Sequence, residues 1–340
     1  MGEMAVRKSY LDIIRLAACL LVIIMHSPME GASGMLQNAI YTFTAPCIGL
    51  FFMVSGALLL PAEGGISFLR KRLSKVLVPT ILWSLFYIGA NVVFKRQDIS
   101  AIPKQILSVP FSPQGHNVLW FMYTLCGLYI LAPVISPWLK SASRKEIEII
   151  LFVWGITLLY PVIEGFLDIS ESTSAPLYYF TGYAGYFLLG YYFTRFEVSW
   201  GPARIFLVAV VALASLAAIR FLPLGIRFEK AIGYLSIFFF FFTMAYFSAL
   251  EKIGRMITPE SSSGKILAVL SGLSFGVYLV HIFFIRYLLY GFIPGGVKQV
   301  VCTVAITVTI SFLCVWLISF LPISQYIIGY KWPKRSSTNK

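Results

Sequence analysis

The chain has 340 residues, of which 59% are hydrophobic and 12% are charged, and its mean hydropathy is +0.83. Soluble domains carry about 25% charged residues, so this composition excludes an ordinary soluble domain and predicts an integral membrane protein. The formal net charge of +13 does not indicate nucleic-acid binding, because the basic residues lie in short loops between apolar runs, where they orient membrane proteins.

Apolar runs long enough to cross a bilayer recur along the whole chain. They predict an all-α, polytopic integral membrane protein with about ten transmembrane helices, organised as one transmembrane domain over residues 1–340. The connecting loops contain the Pro and Gly residues that interrupt helices. In chain order the predicted spans are 10–28, 38–60, 76–94, 117–135, 147–163, 177–194, 205–222, 231–250, 267–290 and 299–320.

The distribution of Lys and Arg predicts the orientation of these spans. With the N-terminus inside, the inside segments carry about three times as many Lys and Arg residues as the outside loops. An even number of spans then places both the N- and the C-terminus in the cytoplasm. This topology assigns each polar side chain to an inner or an outer position in the membrane.

The first span combines three ionisable residues, Asp12, Arg15 and His26. On a helix, Arg15 and His26 share a face and lie about 16 Å apart along the axis. Ionisable residues within a membrane span are energetically costly and usually functional. Asp12 and Arg15 are three residues apart, and their simpler interpretation is a buried ion pair.

The predicted topology divides the remaining polar residues between the two ends of the spans. Cationic residues collect at the inner end, which favours a phosphate-bearing substrate there, although they can equally be topology anchors. Histidines collect at the outer end, which favours proton transfer. The inner group is Arg15, Arg70, Lys71, Arg72 and Lys75, with Ser55 nearby, and the outer group is His26, His116 and His281.

Two of these histidines also have simpler interpretations. His281 alone is as well explained by a hydrogen bond between packed helices. His116 lies close to Trp120 and Tyr123, so it fits an aromatic belt at the membrane surface.

Five short motifs follow one another along the chain. They are Arg15 with ten residues and then His26, the run 51–56, the basic run 68–79 with Trp83, the run 116–123 that contains His116 and Trp120, and the run 274–281 that contains Ser274, Tyr278 and His281. In this order they resemble the motifs of the membrane-bound acyltransferase family 3, over roughly residues 7–330. The length of the chain is similar to that of the stand-alone bacterial O-acetyltransferases, such as those acting on enterobacterial common antigen.

The resemblance implies an O-acyltransferase, most often an O-acetyltransferase, in the bacterial cytoplasmic membrane. Such an enzyme moves an acyl group from cytoplasmic acyl-CoA, usually acetyl-CoA, to a hydroxyl of a cell-surface glycan or lipid-linked sugar, without a metal. The acyl group is either acetyl or another group such as succinyl. Partners are therefore acyl-CoA, the acceptor and membrane lipid, with homo-oligomers possible and no nucleic acid.

The resemblance also implies roles for individual residues. His26, with Arg15 and Asp12, is expected to be catalytic, either as general base or as a transient acyl carrier. The CoA group is expected at Arg15, Ser55, Arg70 and Arg72, and the acceptor at His116, Trp120, Tyr278 and His281.

Two other functions compete with this interpretation. A transporter or flippase for an anionic sugar or lipid has polar groups in its spans and a basic inner mouth as well. The sequence shows no internal repeat, which disfavours a transporter. A structural subunit of a polysaccharide synthase fits the fold but leaves the shared face of Arg15 and His26 unexplained.

Overall fold

The protein is described here by a computed structural model that covers residues 7–167, 174–221, 233–293 and 295–332. Within these ranges all regular secondary structure is helical, which confirms the predicted all-α class. The α-helices, numbered in chain order, are α1 (Ser9–His26), α2 (Gly34–Thr44), α3 (Pro46–Leu59), α4 (Ile66–Lys95), α5 (Ile102–Ser108), α6 (Trp120–Ser141), α7 (Arg144–Thr157), α8 (Tyr160–Leu167), α9 (Ala184–Arg195), α10 (Pro202–Phe221), α11 (Ile237–Arg255), α12 (Ser262–Phe283), α13 (Val297–Ser319) and α14 (Ser324–Ile327).

Nine helical stretches in the described part of the chain are long and apolar enough to cross a membrane. The protein is therefore a polytopic membrane protein, as its sequence predicts. The nine stretches are Ser9–His26, Gly34–Leu59, Ile66–Lys95, Asn117–Ser141, Arg144–Leu167, Pro202–Phe221, Ile237–Arg255, Ser262–Leu288 and Val297–Ser319.

The predicted span 177–194 corresponds to a much shorter helix. α9 has 12 residues, which is about 18 Å of helix against a hydrocarbon core of about 30 Å. The residues before it form a 3₁₀ turn over Tyr178–Phe180, and Gly182 has a φ of 94°, a conformation that an α-helix cannot include. Counting α9 as a crossing gives ten spans, and the cytoplasmic position of both termini stays a prediction.

A few predicted boundaries lie outside the described residues. They are both chain ends, residue 222 at the end of one predicted span, and residues 231–232 at the start of the next.

The basic run 70–75 lies on a helix, and its assignment to a loop is wrong. α4 begins at Ile66 rather than at residue 76, directly after Gly64 and Gly65, whose positive φ values of 93° and 49° end the preceding segment. Lys and Arg are good helix formers, so a helix continues through them past the edge of an apolar run. Arg70 and Arg72 are consequently exposed on the early turns of α4.

The described residues divide into two compact units. Unit 1 is formed from residues 1–25, 33–65 and 131–268, and unit 2 from residues 26–32, 66–130 and 269–340.

Unit 1 contains a direct backbone contact between α3 and α9. A Cβ atom added at Gly56 of α3 falls 1.7 Å from the carbonyl oxygen of Phe187. In return, a Cβ added at Gly190 of α9 falls 1.8 Å from the carbonyl oxygen of Met53. Because lipid supplies no hydrophobic drive between helices, such close packing at small residues is a main source of helix association in membranes.

Unit 2 is stabilised by hydrogen bonds from α4 to residues that lie far along the sequence. The indole Nε1 of Trp83 on α4 donates to the carbonyl of Ile327 on α14 at 2.9 Å. One turn later the hydroxyl of Tyr87 donates to the carbonyl of Leu279 on α12 at 2.7 Å. Tyr87 is fully buried, so α4 fixes the position of α12 from within the unit.

We predict that Gly56→Ala disrupts folding of unit 1. The added methyl group overlaps backbone atoms, which cannot move aside as a flexible side chain does, so the cost is expected to exceed the about 1–3 kcal/mol of ordinary overpacking. Fluorescence-detected size-exclusion chromatography before and after heating measures the effect. Gly89→Ala on α4 is the matched control, because its Cβ meets nothing within 4 Å. Equal thermal stability of the two variants contradicts the α3–α9 contact.

Candidate active site

The three histidines of the chain all belong to unit 2. His26 is the last residue of α1, His281 lies in the final turns of α12, and His116 directly precedes a 3₁₀ turn over Asn117–Leu119. The imidazole rings of His26 and His281 face each other with centroids 5.3 Å apart. Residues separated by most of the chain therefore form one polar cluster.

Hydrogen bonds determine which nitrogens of His281 and His26 carry protons. Nδ1 of His281 lies 2.6 Å from the carbonyl oxygen of Tyr278, and its Nε2 lies 3.4 Å from Nδ1 of His26. A carbonyl only accepts, so Nδ1 of His281 carries the proton and, in the neutral ring, Nε2 is the acceptor. His26 then donates from Nδ1, which makes its Nε2 the nitrogen with the lone pair.

This arrangement gives the two rings different chemical roles. His281 is fully buried and is oriented by the backbone carbonyl of Tyr278. His26 is only partly buried, and its tautomer places the lone pair of the neutral ring on Nε2. A general base held by a second group is the arrangement that nucleophile-activating sites use.

His116 is fixed in the opposite tautomer. Its Nδ1 accepts a hydrogen bond from the backbone N–H of Val118 at 3.1 Å, so the proton of the neutral ring is on Nε2. Burial, followed by the nearby charge of Lys95, lowers the pKa of His116 to about 4. His26 and Arg286 act in the same direction. His116 is therefore a neutral hydrogen-bond donor near His26 rather than a second base at neutral pH.

A tight turn places His116. Gly115 has a φ of 76°, and a Cβ added there falls 2.7 Å from Cβ of Tyr87 and 2.8 Å from the backbone of Ser84 and Ile88, so only glycine fits against α4. The side-chain amide of Asn91 donates to the Gly115 carbonyl at 2.7 Å.

The end of α12 completes this support. The helix continues into a π-helical turn over Phe284–Leu288. There the hydroxyl of Tyr287 donates to the side-chain oxygen of Asn91 at 2.6 Å. π-Helical turns inside α-helices are frequent at functional sites, because one extra residue per turn redirects the side chains that follow. Here the turn places Tyr287 in contact with Asn91, which bonds the loop that carries His116.

Two of the predicted acceptor-binding residues lie around this cluster. Tyr278 is buried, and its hydroxyl donates to the carbonyl of Val118, two residues from His116. Trp120 is half-buried and its ring contacts that of Phe121, which in turn packs 5.5 Å from the ring of Tyr278. Unit 2 therefore brings together His26, His116, Trp120, Tyr278 and His281.

The other predicted catalytic residues belong to unit 1. Asp12 is bound by Arg7, whose Nε and Nη2 donate to its two carboxylate oxygens at 2.6 and 2.9 Å. Arg7 also donates to the carbonyl of Ala268 at 3.2 Å. The partner expected from sequence spacing was Arg15, which lies half-buried on α1.

The predicted CoA-binding residues are divided between the units. Ser55 in unit 1 donates to the carbonyl of Phe51 at 2.8 Å, within its own helix. Arg70 and Arg72 in unit 2 are exposed on α4. Arg72 and Tyr87 are separated on this helix by about 22 Å at the usual rise per residue.

Sequence reasoning missed Tyr87, Asn91 and Tyr287. Tyr87 and Asn91 are four residues apart within the third predicted span, so they lie on one face of α4. Polar side chains inside a span are a signal of helix–helix contact. That signal was present, but their partners lie at distant positions in the chain.

The fold defines the class of protein as a polytopic membrane protein, and in it His26 and His281 are hydrogen-bonded to each other with His116 nearby. A comparison with protein families then identifies the family. The model described as an acyltransferase domain matches residues 8–319, so the chain belongs to the acyltransferase family 3 and is a membrane acyltransferase. The matched residues include parts of both units. No curated protein and no solved structure matches this chain.

We predict that His116 stays neutral across the physiological pH range. Its pKa of about 4 lies below that of a free imidazole, so its ring signals should not change between pH 8 and pH 5.5. Nuclear magnetic resonance of protein labelled only at histidine gives three ring signals, which three single His→Gln variants assign. A midpoint near pH 6.5 for His116 contradicts the site geometry.

The difference between the pKa of His116 in the folded and in the unfolded chain predicts a pH dependence of stability. The unfolded chain takes up this proton near pH 6.5 and the folded chain only near pH 4. The contribution of His116 to stability is therefore complete above pH 6.5 and is lost as the pH falls through this window.

Proposed function

We propose that this protein is a bacterial O-acyltransferase that transfers acetyl groups. It transfers the group from cytoplasmic acetyl-CoA to a hydroxyl of a cell-surface glycan or lipid-linked sugar, and it works in the bacterial cytoplasmic membrane. The observation that carries the proposal is the hydrogen-bonded series from the Tyr278 carbonyl through His281 to His26.

The proposed reaction begins with proton removal. Nε2 of His26 takes the proton of the acceptor hydroxyl while its Nδ1–H donates to His281. The acceptor oxygen attacks the thioester carbonyl and forms a new C–O bond. The positive charge that develops on His26 is stabilised because His281 offers a lone pair held in place by the Tyr278 carbonyl.

The second half of the proposed reaction returns the proton. The tetrahedral intermediate carries negative charge on the former carbonyl oxygen, and the Nε2–H of His116 is suited to donate to it because that ring is neutral. The C–S bond then breaks, and the CoA thiolate takes the proton from His26. The products are the acylated acceptor and CoA thiol, and His26 regains its starting state.

The direct route explains the pair of histidines better than a transient acyl group on His26. An acyl group on Nε2 leaves Nδ1 able to donate to His281 only while the ring is cationic, because a neutral N-acylimidazole carries no N–H. The direct route, however, uses the proton acceptor at His26 and the donor at His116 together in one step, and this is the arrangement that their two tautomers provide.

The basic start of α4 supports cytoplasmic acyl-CoA as the donor. Arg70 and Arg72 are exposed and form no hydrogen bond or salt bridge with another described residue. Arginine binds phosphate in a bidentate manner, and CoA carries several phosphate groups. Arg72 and Tyr87 lie on the same helix of unit 2, and Tyr87 bonds the helix that carries His281. An extended ligand such as acyl-CoA can therefore place its phosphates at Arg72 and its thioester near His26.

We predict that His26→Ala lowers acetyl transfer by about a hundred- to ten-thousand-fold, the usual cost of losing a general base. His281→Phe keeps a planar ring but removes both hydrogen bonds, so it should lower kcat with a smaller effect on the KM of acetyl-CoA. Radiolabelled acetyl transfer and acetyl-CoA hydrolysis by purified protein measure both variants.

A double variant tests whether the two histidines act as one unit. His26→Ala with His281→Phe should be no slower than His26→Ala alone, because effects within a catalytic unit are not additive. Multiplied losses in the double variant contradict the hydrogen-bonded pair. Near-normal transfer by His26→Ala contradicts the proposed reaction, and wild-type protein without any turnover of acetyl-CoA favours a transporter.

We predict that Arg72→Ala raises the KM of acetyl-CoA by about ten- to a hundred-fold, the usual range for one charge-assisted hydrogen bond, and leaves the KM of the acceptor unchanged. Arg72→Lys should restore binding only in part, because lysine is a single point charge. Arg204→Ala is the matched control, since Arg204 is another exposed arginine on the predicted inner side. Wild-type binding by Arg72→Ala means that the basic run only anchors the topology.

A further inference from the structure

Unit 1 contains a small polar cavity where three helices begin or end. The first residues of α1, the segment after α9 and the end of α11 enclose a volume of about 210 Å³. The helices pack closely beside it, because a Cβ at Gly254 falls 2.3 Å from Cα of Tyr10. The lining side chains include Lys8, Tyr10, Glu197 and Arg255.

Charges of both signs line this cavity. Arg255 is held by Glu251, to which its Nε and Nη2 donate at 3.0 and 2.8 Å, and its guanidinium lies 5.2 Å from the ring centre of Tyr10. Lys8 and Glu197 are exposed. Neither side chain forms a hydrogen bond or a salt bridge with another described residue. A complementary ligand therefore carries an anionic and a cationic group.

The backbone of Glu197 supports a role for its carboxylate. Its φ is 48°, the left-handed region that favours glycine. The position follows the end of α9, where the N–H of Phe196 donates to the Tyr192 carbonyl and the N–H of Val198 to the Phe193 carbonyl, at 3.0 and 3.1 Å. Glycine is the usual residue at such a helix end. The backbone favours glycine here, and the residue present instead supplies a carboxylate at the cavity.

The depth of the cavity indicates a lipid as the ligand. α1 and α11 are both among the membrane-spanning stretches, and the cavity lies where α1 begins and α11 ends. The ends of spans lie at the level of the lipid headgroups. Tyr10 and Ile257 supply the amphipathic and apolar surface that suits this boundary.

We propose that this cavity binds the headgroup of a phospholipid that carries a phosphate and a primary ammonium group. The phosphate contacts Lys8 and Arg255, and the ammonium contacts Glu197. The site is independent of the proposed acyl transfer, and its occupation stabilises unit 1 by tying the ends of α1, α9 and α11 to one ligand.

Thermal unfolding of the full chain in detergent tests this proposal. The probes are mixed micelles containing phosphatidylethanolamine, phosphatidylglycerol or phosphatidylcholine, followed by intrinsic fluorescence. Phosphatidylethanolamine should raise Tm more than the other two, because phosphatidylglycerol lacks the ammonium and phosphatidylcholine has no N–H to donate. Soluble phosphoethanolamine should not reproduce the shift. Equal shifts with all three lipids, or an equal shift with phosphoethanolamine, overturn the proposal.

Glu197→Gly separates backbone strain from lipid binding. In detergent alone it should raise Tm by about 1–3 °C, since glycine adopts this conformation without strain. The additional shift with phosphatidylethanolamine should be lost.

Arg96→Gly is the matched control. Arg96 also has a positive φ, 52°, but it follows α4 and belongs to unit 2. The Arg96→Gly variant should raise Tm in detergent and should show the same additional Tm shift with phosphatidylethanolamine as the wild type. Lys8→Gln should reduce the lipid shift without a change in detergent. A full lipid shift in Glu197→Gly contradicts the assignment of the ammonium.

Discussion

A buried polar group within a membrane must find its hydrogen-bond partners in the protein, because lipid offers none. In unit 2 this requirement applies to His281, which is fully buried. Its two ring nitrogens bond to the Tyr278 carbonyl and to His26. The backbone bond fixes the tautomer of His281, and that tautomer fixes the one of His26. The tautomers of both rings therefore depend on one main-chain carbonyl.

The support around this pair shows why it stays in place. Tyr87 and Trp83, one turn apart on α4, each donate to a carbonyl in a later helix, at Leu279 and Ile327. Asn91, one turn beyond Tyr87, bonds the loop that carries His116. One face of α4 thus positions both the helix of His281 and the loop of His116. The separation between the segments that carry His116 and His281 is therefore set by one rigid helix, α4.

The sequence predicts this site in part. The periodicity of α1 places Arg15 and His26 on one face, and the spans place the three histidines at one end, before any contact is known. The family motifs add Tyr278 and the order of the elements. Helix geometry is local, so these features can be derived from spacing alone. The tautomers cannot, because they depend on bonds such as that of His281 to His26, which join residues from opposite ends of the chain.

The differences between the predicted and the observed helix bounds have physical causes as well. Apolar length predicts a tenth span at 177–194, yet left-handed Gly182 shortens the helix to α9, whose glycines pack against α3. Charge places the start of the third span at residue 76, but arginine and lysine favour helix, and α4 begins at Ile66. Sequence spacing also gives no sign that Arg7, outside the helix, binds Asp12. In each case hydropathy locates the apolar run, and a backbone or pairing constraint decides where the helix ends.

The two units are stabilised by different kinds of contact. In unit 1, glycines bring backbones into contact, and the charges at the helix ends face a polar cavity. In unit 2, aromatic and amide side chains bond to distant carbonyls and hold the segments that carry the histidines. Close packing provides stability without polar groups, whereas chemistry needs polar groups and therefore a network that satisfies each of them. The left-handed backbone at Glu197 marks a place where side-chain position outweighs backbone preference, whereas at position 115 glycine adopts a positive φ without strain.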